Sequence, residues 1–334
     1  MRAGEMKNNN VVAVLDMGAT FWKGALYRFS RSSLKKHEPS SKECPVVKSP
    51  RGYFVPLRSA LEKRGNLGLT YSGRSRRKFT DALSSFLSSL AGPQLAEVSS
   101  VIVTGGNSAS LPPNIKLMGV TFPVFHVPEF DALANSAFSG TGVRSDKVLA
   151  VSVGTGTAMV LASRLPSGRV TSKHVSGTGI GGGTLSGLAS ALLNVSSFSE
   201  IERLSMQGVA SRCNLTIGDI LGSGIGLLPA DATASNLASL SSDSKKKHSP
   251  SDVARACFSL VAETVGMLSL QSAKANGASR IIFSGTLAGS PVFREDLSAV
   301  MRMLHAGFVF HPFPAFAALA GALRHHAFSH AFSE

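Results

Sequence analysis

Apolar residues come in short blocks separated by glycine along most of this chain. Val11–Asp16 is an unbroken apolar run ending in a carboxylate, and Lys23–Arg28 follows across a glycine-containing turn. Such a pair predicts a β-hairpin. The same grammar returns at Lys147–Val153 and Ala158–Ser163, on either side of Gly154-Thr-Gly-Thr157. Further strands are predicted at Ser100–Thr104, Pro123–Val127 and Arg280–Ser284, the last closed by a turn at Gly285. Apolar positions at helical spacing predict helices over about 78–90, 128–139, 199–210 and 316–327, and another from Leu185. One helix has both ends written out. Ser249 supplies the N-cap, Pro250 the first helical position and Asp252 the third, and an apolar face runs to about Lys274 before Asn276-Gly277 ends it.

The two hairpins make the chain an approximate internal duplication. Asp16-Met-Gly-Ala-Thr20 and Ser152-Val-Gly-Thr-Gly156 occupy equivalent turns. Each alone is compatible with an ordinary hairpin turn, where Gly and Asp are favoured. As a pair they can grip a polyphosphate from two sides. A third glycine cluster strengthens that reading: Lys173–Leu188 holds six glycines and four hydroxyl side chains and runs directly into a helix. Glycine is costly to order, so such density points to close backbone approach to an anion, with N–H groups and a helix N-terminus facing it.

Composition changes the picture less. A chain of 334 residues, 43% hydrophobic, has room for two lobes with their own cores. No stretch reads as a membrane span, since the longest candidate, around Phe308–Leu323, is broken by His311, Pro312 and Pro314. No apolar leader precedes the first strand. Cys44, Cys213 and Cys257 offer no disulfide framework or metal spacing. These features predict a cytoplasmic protein without a membrane partner. The net charge of +14 is concentrated in Arg28–Lys78 and around Lys245-Lys-Lys-His248, both rich in Ser. They read as solvated insertions rather than a basic face interleaved with aromatics, so no nucleic-acid partner is predicted. Attraction of an anionic substrate, a lipid surface or RNA is the alternative.

Taken in order, the motifs resemble those of the type II, or eukaryotic-like, pantothenate kinases of the acetate-kinase/sugar-kinase/Hsp70/actin superfamily. Asp16-Met-Gly-Ala-Thr-Phe-Trp-Lys23 is similar to the first phosphate motif, with Ala19 in place of a second glycine. Gly65-Asn-Leu67, Val103-Thr-Gly-Gly106, Glu129-Phe-Asp-Ala-Leu133, Gly154-Thr-Gly156, Val175–Leu188, Ser251–Arg255 and Ile282–Gly285 follow in the family's order. His174 stands where the family has an arginine, and Ala158 where it has a hydroxyl residue. Near the C-terminus, Pro314–Gly321 replaces a glycine-rich stretch.

The resemblance implies an α/β, two-lobed actin-like, ribonuclease H-like ATPase fold with a central cleft. A disordered N-terminus (1–10) would precede an N-terminal lobe over 11–140, carrying a basic insertion at about 29–64. A C-terminal lobe over 145–334 would contain a long interface helix, about 250–275, and a last helix packing back toward the cleft. The implied reaction moves the ATP γ-phosphoryl group to the primary hydroxyl of pantothenate, the first step toward coenzyme A. Glu129 would be the general base. Asp16 would hold Mg²⁺ through water, while Gly18, Thr20, Lys23, Gly154, Thr155, Gly156, Gly179, Gly181, Gly182 and Gly285 would hold the nucleotide. Thr155, His174 and Thr178 would contact substrate. CoA or acyl-CoA as feedback ligand, and a homodimer or a heteromer with a homologue, are implied likewise. Two alternatives stay open: a catalytically impaired paralogue serving as subunit of a heteromeric enzyme, and a related kinase with another hydroxyl substrate.

Overall fold

The computed structural model describes residues 11–18, 21–30, 47–49, 52–64, 83, 85–89, 91, 96–106, 108–117, 119–226, 228–241 and 248–330. The N-terminal segment 1–10, Ala19, Thr20, the Gly65-Asn-Leu67 element and Lys245–Lys247 lie outside them. Strand β1 (Val11–Met17) pairs antiparallel with β2 (Phe21–Ser30), confirming the first hairpin. After β3 (Val47–Ser49), β4 (Gly52–Arg64) and a helix α1 within 83–91 come β5 (Val98–Thr104), β6 (Asn114–Leu117), β7 (Val120–His126) and α2 (Glu129–Ser136). The second hairpin, β8 (Lys147–Val153) and β9 (Thr157–Arg164), is followed by β10 (Val170–Thr178), α3 (Gly182–Leu193) and α4 (Phe198–Ser205). Then come β11 (Leu215–Thr216), α5 (Ile217–Leu221), β12 (Thr233–Ser235), α6 (Pro250–Ala275), β13 (Ile281–Ser284), α7 (Pro291–Met303), β14 (Phe308–Phe310) and α8 (Ala317–His330).

The described residues form two compact units, one drawn from 11–150, 160–174 and 311–330, the other from 151–159 and 175–310. In the first, the sheet order is β3-β4-β2-β1-β5-β7-β6. Strand β1 is central and buried on both faces, which is why its sequence is continuously apolar rather than alternating. Val11, Ala13, Leu15 and Met17 face Leu83, Phe86 and Leu87 of α1. Val12 and Val14 face Ala132 of α2 and Leu319, Ala320 and Leu323 of α8. Asp16 continues this second face, by the two-residue period of a strand. Helices α2 and α8 approach so closely that a Cβ on Gly321 would lie 1.8 Å from the Ala132 carbonyl oxygen. Buried Arg324 of α8 then staples the arrangement, donating to Asn135 Oδ1 at 2.6 Å and to the Gly168 carbonyl at 2.7 Å.

A second set of five strands runs β10-β9-β8-β13-β14, matching β4-β2-β1-β5-β7 position for position. Strand β4 is thus a repeated element of the fold, although its Lys, Arg, Ser and Pro content reads as insertion. Likewise the stretch 173–178, read as the start of a glycine loop, is the end of β10. Within the second unit α6 packs against α3, α4 and α7. Its N-terminus is built as the sequence indicates, with Ser249 Oγ accepting from the Asp252 amide at 3.1 Å and proline opening the helix. This is the one described helix long and apolar enough to cross a membrane, a property the sequence reading passed over. Val253, Ala256, Phe258, Val261 and Val265 are buried, and Arg255 is paired with Asp296 of α7 at 2.6 Å, so α6 is a core helix of its unit.

Candidate functional site

Two groups of predicted residues can be placed, one in each unit. In the first unit, Asp16 lies at the end of β1 directly opposite Lys23 on β2 and Thr104 on β5. Gly18 follows at the turn. The Gly105 backbone presses against it. With φ of +88° and a would-be Cβ 2.8 Å from both Asp16 Oδ1 and the Met17 carbonyl carbon, that position admits glycine alone. At the next residue, Gly106, a Cβ would come 3.8 Å from Glu129 Oε2. The two carboxylates therefore lie over adjacent glycines of one turn. Gly105 was not singled out for the site from sequence; the signal was the Thr104-Gly-Gly106 strand end.

Glu129 is exposed and opens α2, where a carboxylate is favoured by the helix dipole. Pro128 fixes the entry to the helix and gives no side-chain cap. Lys23 is buried, and its ammonium donates to the Ala315 carbonyl at 2.8 Å. His174 on β10 stacks on Phe130, with ring centroids 4.6 Å apart and planes at 14°.

Burial raises the Asp16 carboxyl from the ordinary 3.8 to about 6; the Lys23 ammonium opposes the rise, and the Glu129 carboxylate adds to it. The folded chain thus binds this proton more tightly than the unfolded chain does. The resulting stability is fully present below about pH 3.8 and is lost as pH rises through about 6. In the absence of nucleotide and divalent ions, wild-type stability relative to Asp16→Asn is expected to fall by about 2–3 kcal/mol between about pH 4 and pH 7. Urea unfolding of both proteins across that range measures it; parallel pH curves would show that Asp16 titrates normally. One partly buried carboxylate beside a second suits a hydrated divalent cation. Among the described residues no three His, Cys, Asp or Glu side chains cluster to cage a metal directly.

In the second unit the glycine loops pack on one another. The amides of Gly182 and Gly183, at the start of α3, donate to the carbonyls of Gly154 and Thr155 at 2.8 Å each. A Cβ on Gly181 would lie 2.8 Å from Gly156 Cα and from the Thr155 carbonyl oxygen. A Cβ on Gly156 would lie 3.0 Å from the Thr178 carbonyl oxygen. Thr157 Oγ1 donates to the Ile180 carbonyl at 2.8 Å, and Thr178 Oγ1 accepts from the Ile180 amide at 3.1 Å. Much of the glycine density is thus required by loop-on-loop packing. Gly179 differs, since a Cβ there would meet no atom within 4 Å. Gly285 joins the same group. At φ of +93° its would-be Cβ lies 2.4 Å from the Val153 carbonyl oxygen, repeating at the end of β8 what Gly105 does at the end of β1. A cavity of about 530 Å³ beside α7, lined by Gly289, Pro291, Arg294, Glu295, Ser298 and Arg302, contains none of the predicted residues.

The chain has relatives among known proteins. The Fumble family model matches residues 144–328, more than half of the chain. The chain belongs to the Fumble family. Among its relatives, a type II pantothenate kinase of Oceanobacillus iheyensis is 28% identical over 269 residues, covering 75% of this chain and 91% of that one. Pantothenate kinase 1 of Arabidopsis thaliana is 34% identical over 143 residues, covering 41% and 36%. This Fumble chain is therefore an enzyme of the phosphotransferase class. The activator of 2-hydroxyisocaproyl-CoA dehydratase from Clostridium difficile, solved with ADPNP, superposes at a TM-score of 0.53 with 17% identity over 96% of this chain and 95% of that one. A ROK family glucokinase from Streptomyces griseus, solved with glucose and AMPPNP, gives 0.52 with 14% identity over 93% and 97%. These likenesses establish the actin-like, ribonuclease H-like ATPase fold expected of the Fumble chain.

Proposed function

We propose that this protein is a pantothenate kinase, transferring the γ-phosphoryl group of ATP to the primary hydroxyl of pantothenate to form 4'-phosphopantothenate, the first step of coenzyme A biosynthesis. The observation that carries the reading is the pair of carboxylates over Gly105 and Gly106, in a chain of the Fumble family. Phosphoryl transfer needs charge neutralisation, positioning and a destination for the hydroxyl proton. Glu129, exposed at the start of α2, accepts that proton as general base. Asp16 would hold Mg²⁺ through water, and the ion would supply neutralisation of phosphate charge. Gly18, Thr20, Lys23, Gly154, Thr155, Gly156, Gly179, Gly181, Gly182 and Gly285 are the nucleotide-binding residues of this reading. Thr155 and Thr178 belong to the substrate side.

The enzyme works as a dimer, homomeric or with a homologue, and exposed Met267 and Leu268 on α6 support that helix as the interface. A cytoplasmic setting suits the free, buried Cys213 and Cys257. Feedback by CoA or acyl-CoA belongs to the same reading. The test is direct. Purified chain, incubated with ATP, Mg²⁺ and pantothenate, is expected to form ADP and 4'-phosphopantothenate in equal amounts. Turnover on another hydroxyl substrate but not on pantothenate would overturn the substrate assignment. Activity only after addition of a homologous kinase subunit would assign the chain to a heteromer.

A further inference from the structure

Ser172 and His174 stand two residues apart on β10 and so share one face of the strand. Both close on the first turn of α2. The His174 ring stacks on Phe130, centroid to centroid at 4.6 Å, and Ser172 Oγ donates to Asp131 Oδ1. These are the two residues that follow Glu129. The turn needs such support. The helix is eight residues long, and its N-cap position, Pro128, contributes no side-chain hydrogen bond. Helix ends fray when their terminal groups are not held. Phe130 is 39% exposed, so core burial alone does not fix it.

We infer that the Ser172–His174 edge of β10 is a clamp that positions Glu129, and that His174 acts on the reaction through Phe130 rather than by gripping substrate. This rests on the reading of Glu129 as general base. A base held by such a clamp keeps its carboxylate within reach of the hydroxyl, and displacement by about 1 Å costs on the order of 100-fold in rate. An arginine at position 174 would present a charged fork to the substrate. A histidine lying flat on Phe130 presents a ring to α2.

The experiment measures kcat, KM for pantothenate and amide hydrogen exchange over residues 129–136. The proteins compared are wild type, His174→Ala, His174→Phe, Glu129→Gln and the Glu129→Gln/His174→Ala double variant. His174→Ala is expected to lower kcat by about 10- to 100-fold, with KM changed less than about 3-fold and α2 amides exchanging faster. His174→Phe keeps a ring against Phe130 and is expected to restore most of the lost kcat and the protection of α2. In the Glu129→Gln background, His174→Ala is expected to add less than about 3-fold, because both changes act through one carboxylate. A rise in KM at constant kcat, a His174→Phe variant as impaired as His174→Ala, or unchanged exchange in His174→Ala would each overturn the clamp. Near-wild-type activity of Glu129→Gln would instead remove the base assignment, leaving hydrogen exchange to decide whether β10 holds α2.

Discussion

Glu129→Gln is expected to lower kcat for pantothenate phosphorylation by about 10²- to 10⁴-fold, the range that positioned general bases contribute. Glutamine keeps the length of the side chain and its hydrogen-bonding capacity but cannot take the hydroxyl proton. Because Glu129 is exposed at the helix start, the fold is expected to tolerate the change within about 0.5 kcal/mol. Loss of its charge also removes one of the influences that raise the Asp16 carboxyl, so Asp16 is expected to titrate lower in this variant. Initial rates, a thermal melt and nucleotide binding measured on one preparation separate these effects. A kcat within a few-fold of wild type would place the base elsewhere.

Gly321→Ala is expected to destabilise the protein by about 3 kcal/mol and to lower kcat with it. The added Cβ would sit 1.8 Å from the Ala132 carbonyl oxygen and 2.7 Å from the Ser136 amide nitrogen. Both atoms belong to the backbone of α2, so no flexible side chain can give way. The two helices must separate, straining the Arg324–Asn135 hydrogen bond on the next turn of α8. Ala132 lies one turn beyond Glu129, so the base moves when the helix does. Urea unfolding and steady-state kinetics read the two consequences. An unfolding midpoint equal to that of wild type would mean that α2 and α8 do not pack as closely as described.

Both hairpins, the strand ahead of Gly105 and the capped start of α6 were legible in the sequence because local chemistry determines each. An apolar run between glycine turns can be little else, and Ser249-Pro250 with Asp252 writes a helix start. Other elements depended on tertiary partners. Strand β4 is stabilised by pairing with β2, which overrides a composition that resembles a loop. Strand β10 hid behind its own glycines, and β14 is only three residues long. Helix α7 is an omission of another kind, since Ser290-Pro291 repeats the signature that marked α6. At the site, the glycine clusters signalled a special backbone, yet spacing could not reveal how much of that requirement comes from one loop packing on another. Gly105 escaped notice for the converse reason. Its meaning lies in a contact with Asp16, distant in sequence, which only the parallel pairing of β1 with β5 creates.

The placement of α8 has a consequence for biosynthesis. The helix covers one face of β1, near the other end of the chain, and supplies Leu319, Ala320, Ala322 and Leu323 to that core. During translation β1, β2, β5 and α2 emerge long before this covering exists, leaving Val12, Val14 and Tyr27 without their packing partner. The first unit can close only after the intervening second-unit sequence and residues 311–330 have left the ribosome. A nascent chain stalled or cut short before α8 would contain every residue assigned to phosphoryl transfer, yet would lack the seat for the helix that carries Glu129. Such fragments are expected to be substrates for chaperones and proteases rather than partial enzymes.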